Sequence, residues 1–460
     1  MPVKSHRFPS LAAIWLSAVL AHASAIGGGF VWLDHAHIEG GAAIGTPLHL
    51  FTEGFAGTGY YRPLMALSLS LDALVGGGGA MPFHLTSLFW HGCAALMTVL
   101  AAEALLLSRR AALAAGLLFA VHPLTTLVAD AIAFRSEAMM TTALLVLVYA
   151  HIRGRPAVAA IAIAAGALTK ETACVLGPLL VLLAPGAPRR RMWIAEGIGL
   201  APAVALRLAY APAWRAAPAA LGPGDAIGTR FAALVKSCAA VLFPIDRSIC
   251  DAFVVTHWWQ PAALAGGAVL AALCVLAWRQ RGISLLLVAS VLPALQLVPV
   301  MRWWSPHYLY LPLVFAAMHA GRLVDSARML LPLGAIAVGL GLVSWRDGLR
   351  YTSDATLWTP EVRHQPACAE GQFYLGEVAR AARSWEEAAR RYEAALALAP
   401  GVLAYVDRAA TLQNLGTVRV EQHRWVDARR AYTEALAGTS DAQRRDELTF
   451  NLAALGQRGL

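Results

Sequence analysis

Charge is scarce in this sequence. Charged side chains make up 14% of its 460 residues, 58% are hydrophobic, and the mean hydropathy is +0.57. Soluble domains carry about 25% charged residues, so a purely cytosolic globular protein is excluded. Lysine is nearly missing, at three against 34 arginines, and with the alanine richness this points to a high-GC bacterium. Cysteine is sparse. The six cysteines form no CxxC pair and no Cys/His metal spacing, which speaks against a zinc or redox motif. Most lie in apolar runs, where cysteine acts as a small hydrophobe. The apolar region also lacks a repeat between its halves, and its spans are uneven, which disfavours a secondary transporter.

What charge there is lies unevenly. Residues 1–345 hold 22 Lys+Arg and 13 Asp+Glu, whereas residues 346–460 hold 15 of each. The expected organisation is therefore all-α, with a polytopic membrane domain over 1–345 and a soluble tail over 346–460. The net charge of +9 sits in the membrane part, where it reports orientation rather than nucleic-acid binding. Eleven spans are expected, at roughly 10–31, 83–106, 110–123, 136–151, 156–169, 172–185, 192–210, 261–278, 282–300, 308–321 and 328–345. The first resembles a signal peptide but continues far enough to span, and we read it as uncleaved. Basic residues mark alternate ends: Lys4/Arg7, Arg109/Arg110, Arg153/Arg155, 189–191, Arg279/Arg281 and Arg322/Arg328. The positive-inside rule puts these in the cytoplasm and the tail in the periplasm of a bacterial inner membrane. Residues 230–244, apolar between two outward loops, read as a re-entrant or interfacial helix.

The outward loops gather the unusual polar residues. The first carries Asp34, His35, His37 and Glu39, then Glu53 and Arg62. The next end holds His122, Arg135 and Glu137, the third Lys170 and Glu171, and the last Arg302, Trp303, Trp304, His307 and Tyr308. Charges at membrane depth are costly and usually line a functional cavity. Their concentration on one face fits a site for an anionic substrate delivered by a lipid. The tail repeats: Leu375, Gly376, Ala388, Tyr392, Ala395 and Pro400 are followed by Leu415, Gly416, Ala428, Tyr432, Ala435 and Ser440. This is tetratricopeptide (TPR) spacing, with about six residues inserted between units and a capping helix near 446–455.

The order of Asp34 with His37 and Ile38, YYRPL at 60–64, FHLTSLFWH at 83–91, HPLTTLVADAIAFRSE at 122–137, LTKET at 168–172 and HYLYLP at 307–312 carries a resemblance. It is similar to that of the transmembrane and tetratricopeptide-repeat O-mannosyltransferase family, which joins a GT-C-type membrane fold to outward-facing repeats. The family's first loop usually starts with two acids; Leu33 stands in place of the first, leaving Asp34 as the matched acid. The resemblance implies transfer of a sugar from a polyprenyl-phosphate carrier to a hydroxyl. The expected partners are that donor, the lipid bilayer and an exported protein acceptor held by the repeats.

Such a reaction needs a base for the acceptor and cations for the leaving phosphate. Asp34 is the candidate base, its alternative being an interfacial helix cap. Arg135, Lys170, Arg302, His307 and Tyr308 are candidates for donor and phosphate contact. His35, His37, Arg62, His122, Glu137 and Glu171 are candidate supports. Arg135 with Glu137, and Lys170 with Glu171, read equally as structural ion pairs, and Arg302 as part of an aromatic belt. Glu39 and Glu53 are weaker acids, His84 and His91 default to the core, and Asp246 and Asp251 read as loop polar groups. No cofactor is expected, and a divalent metal is not favoured, because carboxylate–metal sites want more than one oxygen donor. Two other functions stay open: a lipid or glycan acceptor, and a non-catalytic scaffold presenting the repeats.

Overall fold

The computed structural model describes residues 7–41, 44–55, 60–186, 190–211, 221–245, 248–295, 302–324 and 329–457. Among these the chain is helical apart from one pair of two-residue strands. Five helices are long and apolar enough to cross a membrane, or six if a bent pair is counted as one, so this is a multi-pass membrane protein. In chain order the membrane part is α1 (Arg7–His22), α2 (Pro47–Thr52), α3 (Pro63–Gly76), α4 (Met81–Ala104), α5 (Arg109–Val121), α6 (Thr126–Asp130), α7 (Arg135–Arg153), α8 (Pro156–Thr169), α9 (Ala173–Leu183), α10 (Arg190–Tyr210), α11 (Pro223–Leu242), α12 (Pro261–Gln280), α13 (Ile283–Val291), α14 (Tyr310–Arg322) and α15 (Leu330–Gly348).

The expected outward loop at 122–135 is instead a broken helix. Pro123 has no N–H to continue α5, His122 caps the break by accepting Leu124 N at 3.1 Å, and the chain turns by 53°. The loop expected over 33–82 contains α3, an apolar helix that starts on Pro63. Of residues 230–244, all but the last two fall within the 20-residue α11. The helix running Ile132–Arg153 is central, with 83% of its apolar window buried, against 17% for Pro261–Gln280 at the periphery. That is why polar residues at its start can exist at all, shielded by neighbouring helices.

The tail is α16 (Asp354–His364), α17 (Ala369–Ala381), α18 (Trp385–Leu396), α19 (Arg408–Glu421), α20 (Trp425–Gly438) and α21 (Ala442–Gly456). The pairs α17–α18 and α19–α20 are built alike. A Cβ at Gly376 would lie 2.6 Å from the Tyr392 ring, and one at Gly416 would lie 2.5 Å from the Tyr432 ring. Only glycine lets the second helix of each pair close on the first. Ala388, Tyr392, Ala395, Ala428, Tyr432 and Ala435 are all buried at these contacts. Gly416→Ala is therefore expected to lower stability by about 1–3 kcal/mol through overpacking. That outweighs the roughly 1 kcal/mol that alanine adds to a helix interior. A raised melting temperature in that variant would mean the ring moves aside freely.

The insertion between the repeats has a visible use. The segment 397–407 carries β2 (Val402–Leu403), which pairs antiparallel with β1 (Phe253–Val254) of the loop after α11. Tyr405 N also donates to Asp251 Oδ2 at 2.8 Å. A boundary at 345/346 falls inside the last turn of α15, and the chain beyond it packs back on the membrane part. A Cβ at Gly28 would meet Tyr351 O at 2.7 Å, and Gly29 N donates to Thr352 O at 3.2 Å. The loop after α1 thus lies directly against the start of the tail.

Candidate functional site

The first loop turns on Trp32, whose φ of +57° is left-handed. That conformation costs an L-residue about 1–2 kcal/mol, so something must hold it. Its backbone N–H donates to Asp354 Oδ1 at 2.8 Å and its indole Nε1 donates to Glu370 Oε1 at 2.7 Å. Its ring packs on Phe134 and Trp358. Trp32 is buried, and two tail carboxylates satisfy its donors.

This turn sets Asp34. The carboxylate is fully buried, with Oδ1 accepting from Ala133 N at 2.7 Å and Oδ2 from Val31 N at 3.2 Å. Burial pushes its pKa up to about 7, against the pull of those two N–H donors. His35 donates to Asp354 Oδ2 at 2.7 Å through Nε2 and to Glu39 through Nδ1. Asp354 first, with Glu39 and against burial, raises it to about 9, so it is cationic at neutral pH. His37 is the opposite case. Burial, then Arg62 and Arg302, lowers it to about 3, and its Nδ1 has no hydrogen-bond partner among the described residues. Residues His35–Glu39 form a π-helical turn, a local irregularity that often marks functional sites.

Cations gather next to this turn from three separate segments. Arg62, before α3, makes a two-pronged pair with Glu171, at 3.0 Å from Nε to Oε2 and 2.5 Å from Nη2 to Oε1. Burial raises the Glu171 carboxyl, but Arg62 and then Lys170 overcome this and lower it to about 2. Lys170 pairs with Glu137 at the start of α7, and His307 Nε2 lies 3.8 Å from the same Glu137 oxygen. His307 is held well below its usual pKa by burial and then by Lys170, Arg302 and Arg62. Arg302 engages Glu370 through Nε at 3.1 Å and Nη2 at 2.5 Å, with its guanidinium over the rings of Trp32 and Tyr405. Glu370 overcomes burial and raises the Arg302 pKa further, so the guanidinium stays charged. Tyr308 donates to Arg302 O at 3.1 Å and holds the turn between Arg302 and His307.

Other expected residues lie elsewhere. Arg135 is fully buried in a separate socket: Nε donates to Ser87 Oγ at 3.0 Å, Nη1 to Ser68 Oγ at 2.8 Å and Nη2 to Phe83 O at 2.5 Å, and Asp72 pairs with it at 2.5 Å. It joins α3 to α4 and α7 rather than facing Lys170 and Arg302. His122 bonds to Val241 O at 3.0 Å and to the helix break. Glu39 is bound to His35, and Glu53 is exposed beside His49. His84 contacts Gly29 O at 3.3 Å, and His91 contacts Tyr310 Oη at 2.7 Å; both are buried. Asp251 receives Tyr405 N, and Asp246 lies outside the described residues. Among the described residues no three His, Cys, Asp or Glu side chains gather to hold a metal ion.

Sequence reasoning missed Asp72, Asp354 and Glu370. Asp72 was legible as a lone acid in an apolar run. Asp354 and Glu370 were not, because the tail is rich in charge and only the packing of α16 and α17 on the first loop singles them out.

No family model matches the chain. It is 40% identical over 121 residues to Protein O-mannosyl-transferase Tmtc2 of Drosophila melanogaster, which is 24% of this chain and 13% of that relative. It is 36% identical over 134 residues to Protein O-mannosyl-transferase Tmtc1 of the same organism, 26% of this chain and 16% of that relative. The matched stretch is thus a small part of either relative. These matches bear out the resemblance drawn from the motifs. The crystal structure of ArnT from Cupriavidus metallidurans bound to undecaprenyl phosphate superimposes with a TM-score of 0.44 at 14% identity, covering 94% of this chain and 80% of that one.

Proposed function

We propose that the protein is a membrane glycosyltransferase of the GT-C type, moving a hexose such as mannose from a polyprenyl phosphate to a Ser or Thr hydroxyl of an exported protein. The observation that carries this reading is the gathering of Arg62 and Arg302 near His37 and, with Lys170, near His307, one turn from a buried Asp34 whose pKa burial raises to about 7. The partial matches to proteins named as O-mannosyl-transferases support the reaction class. The alternation of basic ends supports an outward-facing site.

In the proposed step the acceptor hydroxyl oxygen attacks the anomeric carbon and gives its proton to Asp34. The bond from that carbon to the phosphate oxygen breaks, and the electron pair leaves with the polyprenyl phosphate. Arg62, Lys170 and Arg302 stabilise the charge that develops there, and in-line displacement inverts the anomeric carbon. His37 Nδ1, buried without a partner among the described residues, would bond a sugar hydroxyl or a phosphate oxygen. The α17–α20 repeats would hold the acceptor chain.

The test is incubation of the purified protein with a panel of polyprenyl-phosphate sugars, following release of polyprenyl phosphate. Release with at least one donor is expected; no release with any of them favours the scaffold reading. Charge-assisted bonds contribute roughly 1.5–3 kcal/mol, so Lys170→Ala should slow transfer about 10- to 100-fold. Arg135→Ala should act through stability instead, leaving Asp72 buried without its cation. Full turnover in the Lys170 variant would move the phosphate away from this cluster.

A further inference from the structure

We propose that Cys250 and Cys368 form a disulfide that staples the loop after α11 to the start of α17. They are the two fully buried cysteines, and they share one apolar core. Cys93, Cys174, Cys238 and Cys274 lie within α4, α9, α11 and α12. Cys250 and Cys368 alone sit in segments outside the helices: an extended stretch before β1, and the N-cap position of α17.

Independent ties flank Cys250 on both sides and reach the stretch just before Cys368 or the second strand. Before it, Ile249 N donates to Glu361 Oε2 at 3.1 Å, and Ser248 Oγ donates to the same oxygen. After it, Gln365 Nε2 donates to Ala252 O at 3.0 Å, and Phe253 pairs with Leu403 across the two strands. Cys250 Sγ accepts from Ala252 N at 3.5 Å, and the neighbouring Cys250 thiol, then burial, holds the Cys368 thiol up in pKa. Cys368 Sγ lies beside Gly371, 3.2 Å from where a Cβ on that residue would stand, so the glycine leaves the sulfur its space.

A neutral buried thiol is a poor nucleophile, so the bond forms during folding, while both segments are still accessible. The oxidant is the disulfide of an oxidised dithiol protein. One cysteine thiolate attacks that disulfide and expels one of its sulfurs as a thiolate. The other cysteine thiolate then attacks the mixed disulfide. The protein gains one S–S bond and loses two protons and two electrons, and the oxidant ends as a dithiol. The staple closes two residues before Glu370, and so fixes the start of the helix that holds Arg302 and Trp32.

The experiment is cysteine mapping of the full-length protein, purified without reductant from a host that exports it. The protein is denatured, alkylated and cut with chymotrypsin, which separates Cys250 from Cys274 at Phe253 and Trp258. A linked pair of peptides carrying Cys250 and Cys368 is expected, both becoming alkylatable only after reduction. Stoichiometric alkylation of either residue without reductant, or linkage of either to another cysteine, overturns the proposal. Melting provides the second readout. Reductant should lower the melting temperature of the wild type and leave the Cys250→Ala/Cys368→Ala variant unmoved. A wild type whose melting is unchanged after both thiols are freed would overturn the stapling role.

Discussion

Asp34→Asn is expected to lower sugar transfer by roughly 100- to 10,000-fold while donor binding and folding survive, since that is the usual contribution of a general base. The serine or threonine hydroxyl is a weak nucleophile and needs a proton acceptor at the instant of attack. Asparagine keeps the shape and still offers an oxygen to Ala133 N or Val31 N, but takes no proton. The pH dependence supplies a second check. Burial raises Asp34 to about 7, so the basic form grows as pH rises through that value, and wild-type turnover should climb there. The stability sign is opposite. A raised carboxyl pKa contributes stability fully below the unfolded value near 4, and loses it as pH climbs through about 7. The asparagine variant should therefore lack both the activity limb and the loss of stability between about pH 4 and 7. Turnover above about a tenth of wild type would move the proton to Glu39, Glu53 or a histidine.

Much of this arrangement could be read from residues alone. The apolar runs, the repeat pattern and the glycine–tyrosine pairs Gly376/Tyr392 and Gly416/Tyr432 follow from local periodicity, and periodicity survives folding. Arg62, Glu137, Lys170, Glu171 and Arg302 stood out because a charge in an apolar background is rare, but the expected pairs Arg135–Glu137 and Lys170–Glu171 are replaced by Lys170–Glu137 and Arg62–Glu171. The same rule failed for Arg135: rarity singles it out, but it does not say whether a buried arginine faces a ligand or a socket of Asp72, Ser68 and Ser87. The break at His122 also escaped, because a proline inside an apolar run ends a helix without saying where the chain goes next. Asp354 and Glu370 were hidden for the converse reason: they become singular only through long-range packing on Trp32.

Removal of the tail over 366–460 is expected to do more than impair transfer to protein. Glu370 lies in that stretch and makes the two-pronged contact with Arg302 and the bond to the Trp32 indole. Truncation is therefore expected to reduce donor hydrolysis too, by about 10- to 100-fold if one charge-assisted contact to the phosphate is lost. Glu370→Ala alone leaves a buried guanidinium without its carboxylate and should cost about 3–5 kcal/mol of stability. Positioning and mere stability are separated by the double variant Arg302→Met/Glu370→Leu. Replacing both partners of a buried pair by apolar residues is often neutral for folding, so this protein should melt near wild type. If Glu370 positions Arg302 for the phosphate, the double variant still turns over about 10- to 100-fold slower, with the loss in kcat more than in KM. Recovery of full turnover together with stability would make the pair a structural tie between the tail and the first loop.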